Sequence, residues 1–239
     1  MVAQSPDVVN TVPGRMLTDP DWLTARIAEM GRSWGTGAAR VGGTLWWCMV
    51  ASALVEPVAR AYAAGQRAPL ARLDRIGCEV RPDGGVDRIV FAGSTDALQA
   101  GGESGGDRFH DADVTVNQDR PGAAPSAAGT ALRDTLTAVI TQVAAVSGAR
   151  PPALWAVVAD AIGNRAIDAG APDAAPRLAA EIGGKLPAPR FVEVGDRTFV
   201  RRISCCLVYE VPGCEMCTSC PKRPSAEREQ LLAQTASRD

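Results

Sequence analysis

Residues 41–64 read VGGTLWWCMVASALVEPVARAYAA, and positions 45–55 within them form the longest apolar stretch of the chain. A run this apolar, rich in Trp, Leu and Ala, predicts a helix that is buried on most of its surface. Gly65 is expected to end this helix, and Pro57 predicts a kink or a break within it. Positions 45–55 are too few to span a bilayer, which needs about 20 residues. The sequence therefore predicts a core helix and no stable membrane insertion.

Apolar residues at helical spacing predict several further helices around this one. The first is expected over residues 16–31, with Thr18 or Asp19 as its cap. Three more follow in the second half of the chain, where glycines mark their ends. Their predicted ranges are 129–147, 151–169 and 173–183, and a short frayed helix is expected from Ala226.

Two other stretches combine strand-forming residues with turn residues, and each predicts a β-hairpin. Residues 75–92 carry Pro-Asp-Gly-Gly at their centre, and residues 190–200 turn at a Gly-Asp pair. A further strand over 109–118 and a linker over 120–129 are expected between the two hairpins. Because strands and helices do not alternate as βαβ units, the predicted class is α+β, mostly helical with antiparallel β-hairpins.

Length and charge limit the possible classes of function. The 239 residues suffice for one large domain or two small ones, and the net charge of −2 comes without a sustained basic stripe. Such a chain has no strong electrostatic attraction to nucleic acid, so no nucleic-acid partner is expected. Residues 1–15 have neither a positive n-region nor an apolar h-region, so no secretory signal is predicted. We expect a cytoplasmic protein.

The cysteines have an unusual distribution along the chain. Five of the seven lie between Cys205 and Cys220, whereas Cys48 and Cys78 stand apart and are expected to be buried, inert thiols. A secreted disulfide scaffold would spread its cysteines more evenly. In a reducing compartment, such a concentration of cysteines indicates a metal or redox site.

Within that segment, ten residues separate the doublet Cys205-Cys206 from Cys217 and Cys220, which form a C-x2-C pair. Thiolates suit both iron–sulfur clusters and zinc. Neighbouring side chains of a strand point to opposite faces, so the doublet can share one cluster only where the backbone turns. Structural zinc sites space the two cysteines of a pair by about two to four residues, which makes the doublet a poor zinc pattern.

The fifth cysteine of the segment leaves another ligand set open. Cys214 completes a run C-x2-C-x2-C-P that is similar to the 4Fe–4S run of bacterial ferredoxins, but no fourth cysteine follows. Cys205 or Cys206 would then have to supply the fourth ligand. The chain has a single histidine, His110, and both Cys2His2 zinc sites and Rieske-type sites need two, so both are excluded. His110 is expected to be an ordinary loop residue.

The doublet, the ten-residue gap and the C-x2-C pair followed by Pro resemble the C-terminal motif of the FhuF-like ferric-siderophore reductases. The Arg-x-Ser before the doublet and the Tyr-x-x-Pro-Gly at 209–213 are similar as well. The resemblance covers only the cysteine segment, and few other families share this motif.

This resemblance implies a 2Fe–2S cluster held by Cys205, Cys206, Cys217 and Cys220. It also implies that the protein reduces Fe³⁺ bound to a siderophore, commonly of the hydroxamate type, and releases Fe²⁺ in the cytoplasm. Family members carry no flavin of their own, so the electron would come from a ferredoxin or another reductase. Cys214 departs from the family pattern.

Cationic residues flank the cysteines on both sides of the segment. We expect them to steer an anionic siderophore or an acidic electron donor, with an ordinary solvated patch as the simpler alternative. They are Arg201, Arg202, Lys222 and Arg223.

Three tryptophans and an acidic stretch have competing interpretations. Trp46, Trp47 and Trp155 could line a substrate pocket, but aromatic residues at helical spacing are more often part of the core. The acidic residues at 103–113 could bind a cation, but their irregular spacing favours a solvated loop. They are Glu103, Asp107, Asp111 and Asp113.

Together these features predict a siderophore-reductase-like α+β region over residues 1–189 and a small C-terminal iron–sulfur lobe over 190–239. The predicted activity is one-electron reduction of ferric iron in siderophores. Two alternatives stay open: an iron–sulfur redox or iron sensor that binds a partner, and a structural zinc module. Metal content separates zinc from iron, and turnover with chelated ferric iron separates a reductase from a sensor.

Overall fold

The structure, a computed structural model, describes residues 10–91 and 126–237. Within these ranges the chain is mostly helical with two small antiparallel sheets, which confirms the predicted α+β class. The elements in chain order are β1 (Asn10–Pro13), α1 (Pro20–Trp34), α2 (Ala39–Ala63), β2 (Ile76–Val80), β3 (Val86–Phe91), α3 (Ala127–Ser147), α4 (Pro151–Asp168), α5 (Ala174–Ile182), β4 (Phe191–Val194), β5 (Arg197–Val200) and α6 (Ser225–Ala236), with 3-10 turns at Gly14–Thr18 and Val208–Glu210.

Helix α2 is the centre of the fold, and α1, α3 and α4 pack around it. Trp46 and Trp47 are fully buried, and Trp155 on α4 is nearly so. The indole N–H of Trp46 donates to the carbonyl oxygen of Gly84, and that of Trp47 donates to the carbonyl oxygen of Leu154, each at 2.9 Å. All three tryptophans lie in the hydrophobic core, which confirms the core interpretation.

Pro57 lies inside α2, and the helix continues through it to Ala63. The predicted helix over 41–64 is therefore confirmed to within two residues at each end, and the predicted break at Pro57 is wrong. By length and composition alone Ala39–Ala63 could cross a membrane, but 72% of its most apolar window is buried inside the protein. Its apolar surface is thus largely covered by the core of the fold.

Helix α1 begins later than predicted. The carboxylate of Asp19 accepts a hydrogen bond from the backbone N–H of Trp22 at 2.8 Å, so the helix starts at Pro20. Thr18 is not the cap, because its hydroxyl donates to the carbonyl oxygen of Arg15 at 2.9 Å. Residues 16–18, predicted to be helical, belong to the preceding 3-10 turn.

Both predicted hairpins are present. Strands β2 and β3 pair antiparallel, and so do β4 and β5. A further strand, β1, pairs with β2. It was not predicted, because four residues are too short to show an alternating pattern.

Several sequence predictions lie outside the described residues. They are the strand at 109–118, the linker at 120–129 up to residue 125, His110, and the acidic residues Glu103, Asp107, Asp111 and Asp113.

Helices α3, α4 and α5 match the three helices predicted for the second half of the chain to within two residues at each end. Gly148 and Gly183 end α3 and α5 with positive φ angles of 73° and 60°. Helix α6 is regular from Ser225 to Ala236 rather than frayed, because it packs against β4 and buries Leu232.

The C-terminal part of the chain shares the core of the helices. Val211 is buried within it, and Phe191, Leu207 and Val208 are half-buried against it. The division into units 1–189 and 190–239 stays a prediction.

Candidate functional site

The chain enters the cysteine segment from strand β5 and is fastened there by one carboxylate of helix α4. Asp160 is buried, with 4% of its surface exposed. Its Oδ1 atom accepts from the backbone N–H of Ile203 at 3.0 Å, and its Oδ2 atom accepts from the backbone N–H of Ser204 at 2.9 Å and from the Ser204 hydroxyl at 2.5 Å. A buried carboxylate is tolerated only with such partners. Asp160 therefore fixes the backbone directly before Cys205.

The backbone turn that the doublet requires occurs at the next residue. Leu207 has φ 64° and ψ 10°, and among the described residues no other non-glycine residue has a positive φ. The backbone N–H group of Leu207 acts to lower the pKa of Cys205, and that of Val208 acts to lower the pKa of Cys206. The left-handed conformation thus turns the chain so that neighbouring sulfurs each receive an amide.

The four cysteines of the motif interact with one another. The strongest interactions join Cys206 to Cys217 and Cys205 to Cys220. The bond from Cys217, together with the Val208 amide and the Arg202 guanidinium, lowers the pKa of Cys206 to about 5. The same bond holds the proton on Cys217 and raises its pKa, and burial raises it further. Burial also raises the pKa of Cys205, so these interactions favour the thiolate form at Cys206 alone of the three.

Arg202 lies between the Cys217 sulfur and the Asp160 carboxylate. Its side chain is only 18% exposed, and its Nη1 atom donates to the Cys217 sulfur at 3.3 Å. The Nη2 atom donates to the Ser204 hydroxyl at 3.3 Å, and Nε lies 3.6 Å from the Asp160 carboxylate. A cation against a sulfur favours electron-rich states of anything the sulfur binds.

A second arginine shapes the C-x2-C turn from the other side. Arg223 donates from Nε to the carbonyl oxygen of Cys217 at 3.0 Å and from Nη2 to that of Met216, and it also pairs with Glu227 on α6. The turn closes with the backbone N–H of Cys220 donating to the Cys217 carbonyl oxygen at 3.1 Å. The spacing of the two cysteines is therefore held by directional bonds to the backbone.

This arrangement fits a cluster of two irons better than a single metal ion. A 2Fe–2S cluster takes two protein ligands on each iron, and the sulfurs lie in two pairs. Cys214 is half-buried and packs against the hydrophobic core.

The flanking cations predicted to steer partners occupy two different environments. Arg202 and Arg223 are largely buried in the hydrogen bonds described above. Arg201 and Lys222 are exposed beside the cysteines, and the Lys222 ammonium donates to the Tyr209 hydroxyl at 2.5 Å. A steering role stays a prediction, and it applies most directly to the two exposed cations.

A cleft of about 350 Å³ opens where the cysteine segment meets helices α2 and α4. Residues of the segment line one wall, and residues of α2, α4, β5 and α6 line the others. The lining includes Cys48, Ser52, Asp160, Asn164, Arg165 and Arg202, together with Phe199, Thr218, Ser219 and Thr235.

Sequence reasoning missed most of this cleft. Cys48 was expected to be a buried, inert thiol; it is half-buried and lines the cleft near Arg202 and Asp160, and burial raises its pKa to about 12. Cys78, by contrast, is fully buried in β2, as predicted, and burial raises its pKa to about 12. One signal could have identified Asp160: a lone carboxylate within the apolar run of α4 must find partners.

One family model matches part of the chain. Residues 202–222 match the model described as the FhuF 2Fe-2S C-terminal domain. The matched range contains the four paired cysteines and Arg202. No curated protein and no solved structure gave a match to the chain.

Proposed function

We propose that this chain, whose residues 202–222 match the FhuF 2Fe-2S C-terminal domain, reduces ferric iron held in siderophores. The observation that carries the proposal is the convergence of two cysteine pairs under an arginine, within a segment of that family. The family supports an iron–sulfur protein of the ferric-siderophore reductase type, and the reaction itself is our inference.

The proposed ligands are Cys205, Cys206, Cys217 and Cys220. The sulfur pairs suggest that Cys205 and Cys220 bind one iron and that Cys206 and Cys217 bind the other. When bound, a 2Fe–2S cluster supplies electrons one at a time.

One electron is all that the proposed substrate requires. The ferric ion is hard and is held tightly by charged oxygen ligands, as in hydroxamates. On gaining one electron it becomes ferrous, binds those oxygens less tightly and leaves the chelate. A separate one-electron donor, such as a ferredoxin, replaces the electron, and the reaction takes place in the cytoplasm. No acid or base is needed for this exchange.

The protein's own residues tune and present the site. Arg202, donating to the Cys217 sulfur, and the amides of Leu207 and Val208 favour added negative charge and so raise the reduction potential. Arg201 and Lys222 are exposed next to the cysteines, where they can attract an anionic chelate or an acidic donor.

The test begins with the visible spectrum of anaerobically purified protein before and after dithionite. We expect absorption bands that bleach on reduction, with iron and sulfide at about two each per chain. Reduced protein mixed with a ferric trihydroxamate should regain its colour, with one ferrous ion released per electron. A colourless protein that contains zinc would reject the proposal. So would a reduced protein that ferric chelates fail to oxidise, and that result would favour the sensor alternative.

A further inference from the structure

The cleft beside the cysteine segment has a position that suits a reaction partner. Thr218 and Ser219 lie between two of the paired cysteines and form part of its wall. Ser204, directly before Cys205, forms another part. A molecule bound in the cleft therefore contacts residues that are direct neighbours in the chain of Cys205, Cys217 and Cys220.

The lining offers hydrogen-bond donors around an apolar floor. Ser52, Asn164 and Thr235 come from three different helices, and Thr218 and Ser219 come from the cysteine segment. The floor is supplied by apolar side chains, which are Val157, Ala161, Phe199, Val200 and Leu232. A ligand with many oxygen acceptors on a compact body would match this combination.

The charges of the lining also favour an oxygen-rich ligand. Arg165 and Arg202 are cations, and Asp160 is the one acidic residue among the cleft residues. Arg202 lies 3.6 Å from the Asp160 carboxylate, and Arg165 pairs with Asp168 and faces Glu56, so each cation has an acidic neighbour. The cleft thus presents charged hydrogen-bond donors to a ligand rather than a large net charge.

One donor at the cleft is left over. The Nε atom of Arg165 is buried and has no hydrogen-bond partner among the described residues. The other two nitrogens of this guanidinium face Asp168 at 2.6 Å and Glu56 at 3.8 Å. A buried N–H without a partner costs stability, and such groups are commonly satisfied by a ligand or by water.

We propose that this cleft binds the oxygen-bearing face of the ferric chelate, with Asn164 and Arg165 as specificity-determining donors. The proposal rests on the proposed function, because it assigns the substrate of that reaction to a place on the protein. Bound there, the chelate lies against Thr218 and Ser219, so the metal to be reduced is held next to the cysteine pairs.

The test uses the complete, cluster-containing protein and two variants. Asn164→Leu removes the amide and fills part of the cleft, and Asn164 is exposed, so folding should survive. Arg165→Met removes the charge and the leftover donor. Matched controls are Asn10→Leu, at an exposed position of β1, and Arg60→Met, which removes the other arginine paired with Glu56. Neither control residue lines the cleft.

Binding is measured with the gallium(III) complex of a trihydroxamate, which resembles the ferric complex but does not accept an electron. Isothermal titration calorimetry should show binding to the wild type and both controls, and about tenfold weaker binding to each variant, the equivalent of one charge-assisted hydrogen bond. When the ferric complex reoxidises dithionite-reduced protein, the concentration of complex that gives half the maximal rate should be about tenfold higher for each variant than for the wild type. Oxidation of Asn164→Leu by ferricyanide, which needs no cleft, should match the wild type.

The two proposals fail in different ways. Equal gallium binding by wild type, controls and variants would overturn the cleft proposal, as would absence of binding to the wild type. Reduction of the ferric complex would then still support the proposed function. If the gallium complex binds with the expected variant pattern but the ferric complex never oxidises the reduced protein, the cleft stands and the reductase proposal falls. If Arg165→Met does not fold, Asn164→Leu decides alone.

Discussion

The helical body (β1 to α5) and the cysteine lobe (residues 191–237) are stabilised in different ways. The body has a continuous apolar core built on α2, in which Leu136, Leu154 and Val158 are fully buried. The lobe has strands of four residues and adds a few apolar residues, such as Val211, to that core, and directional bonds from Arg202 and Arg223 hold its cysteine segment.

This difference predicts how each region responds to change. Apolar burial is non-directional and spread over many residues, so a substitution in the body weakens the whole fold. Directional bonds act at one place, so a substitution in the lobe should remove the site while the body stays folded. The helical body should therefore fold without the cluster, and the lobe should depend on it for order.

The strongest test of the comparison removes one proposed ligand. Cys217→Ser should abolish the visible absorption completely, since a serine oxygen is a poor ligand for an iron–sulfur cluster. The far-ultraviolet circular dichroism should stay helical, because the body does not need the cluster. Cys48→Ser and Cys214→Ser are the matched controls, and both should keep the colour. Loss of colour in Cys48→Ser would mean that the ligand assignment is wrong.

A substitution in the body should have the opposite signature. Leu136→Ala removes a fully buried side chain from α3 and should lower the free energy of unfolding by about 2–5 kcal/mol. The measurement is denaturant unfolding followed by circular dichroism, with Leu70→Ala as the control because Leu70 is 44% exposed. The visible absorption spectrum of the Leu136→Ala protein that remains folded should match that of the wild type. If folded Leu136→Ala protein lost the cluster, the body and the lobe would not be separable.

The smallest of these effects is expected where the two regions meet. Asp160→Asn replaces the charged acceptor of three hydrogen bonds and should weaken the attachment of residues 203–204 by about 1.5–3 kcal/mol. We expect slower cluster incorporation and a shifted reduction potential, measured by reconstitution kinetics and redox titration. The control is Asp168→Asn on the same helix, where the carboxylate is about half exposed and pairs with Arg165. Equal behaviour of the two variants would rule out a positioning role for Asp160.

Local features of the fold were predictable because they depend on neighbours in the chain. The apolar periodicity of α3 to α5 and the glycines after α3 and α5 gave their bounds to within two residues. The hairpin around residues 82–85 followed from its turn chemistry. The start of α1 was misplaced because Leu17 is apolar and buried, although it belongs to a 3-10 turn.

The candidate site was predictable only in its local features. The doublet and the C-x2-C pair were evident from spacing, and the need for a turn beside the doublet followed from strand geometry. That Leu207 makes this turn was not predictable, because a leucine has no preference for a positive φ. Nor did the sequence distinguish Arg202, which contacts a sulfur, from Arg201, which faces solvent.

By itself, the sequence determined that five of the seven cysteines lie in one short segment of a mostly helical fold, because cysteine spacing and apolar periodicity are local properties. The tertiary structure decided what surrounds that segment. Asp160 reaches Ile203 across 43 positions, and Cys48, Asn164 and Arg165 meet the cysteine segment because α2 packs against α4. A single sequence shows that two helices have apolar faces but not which faces meet, since apolar burial rewards contact without specifying the partner.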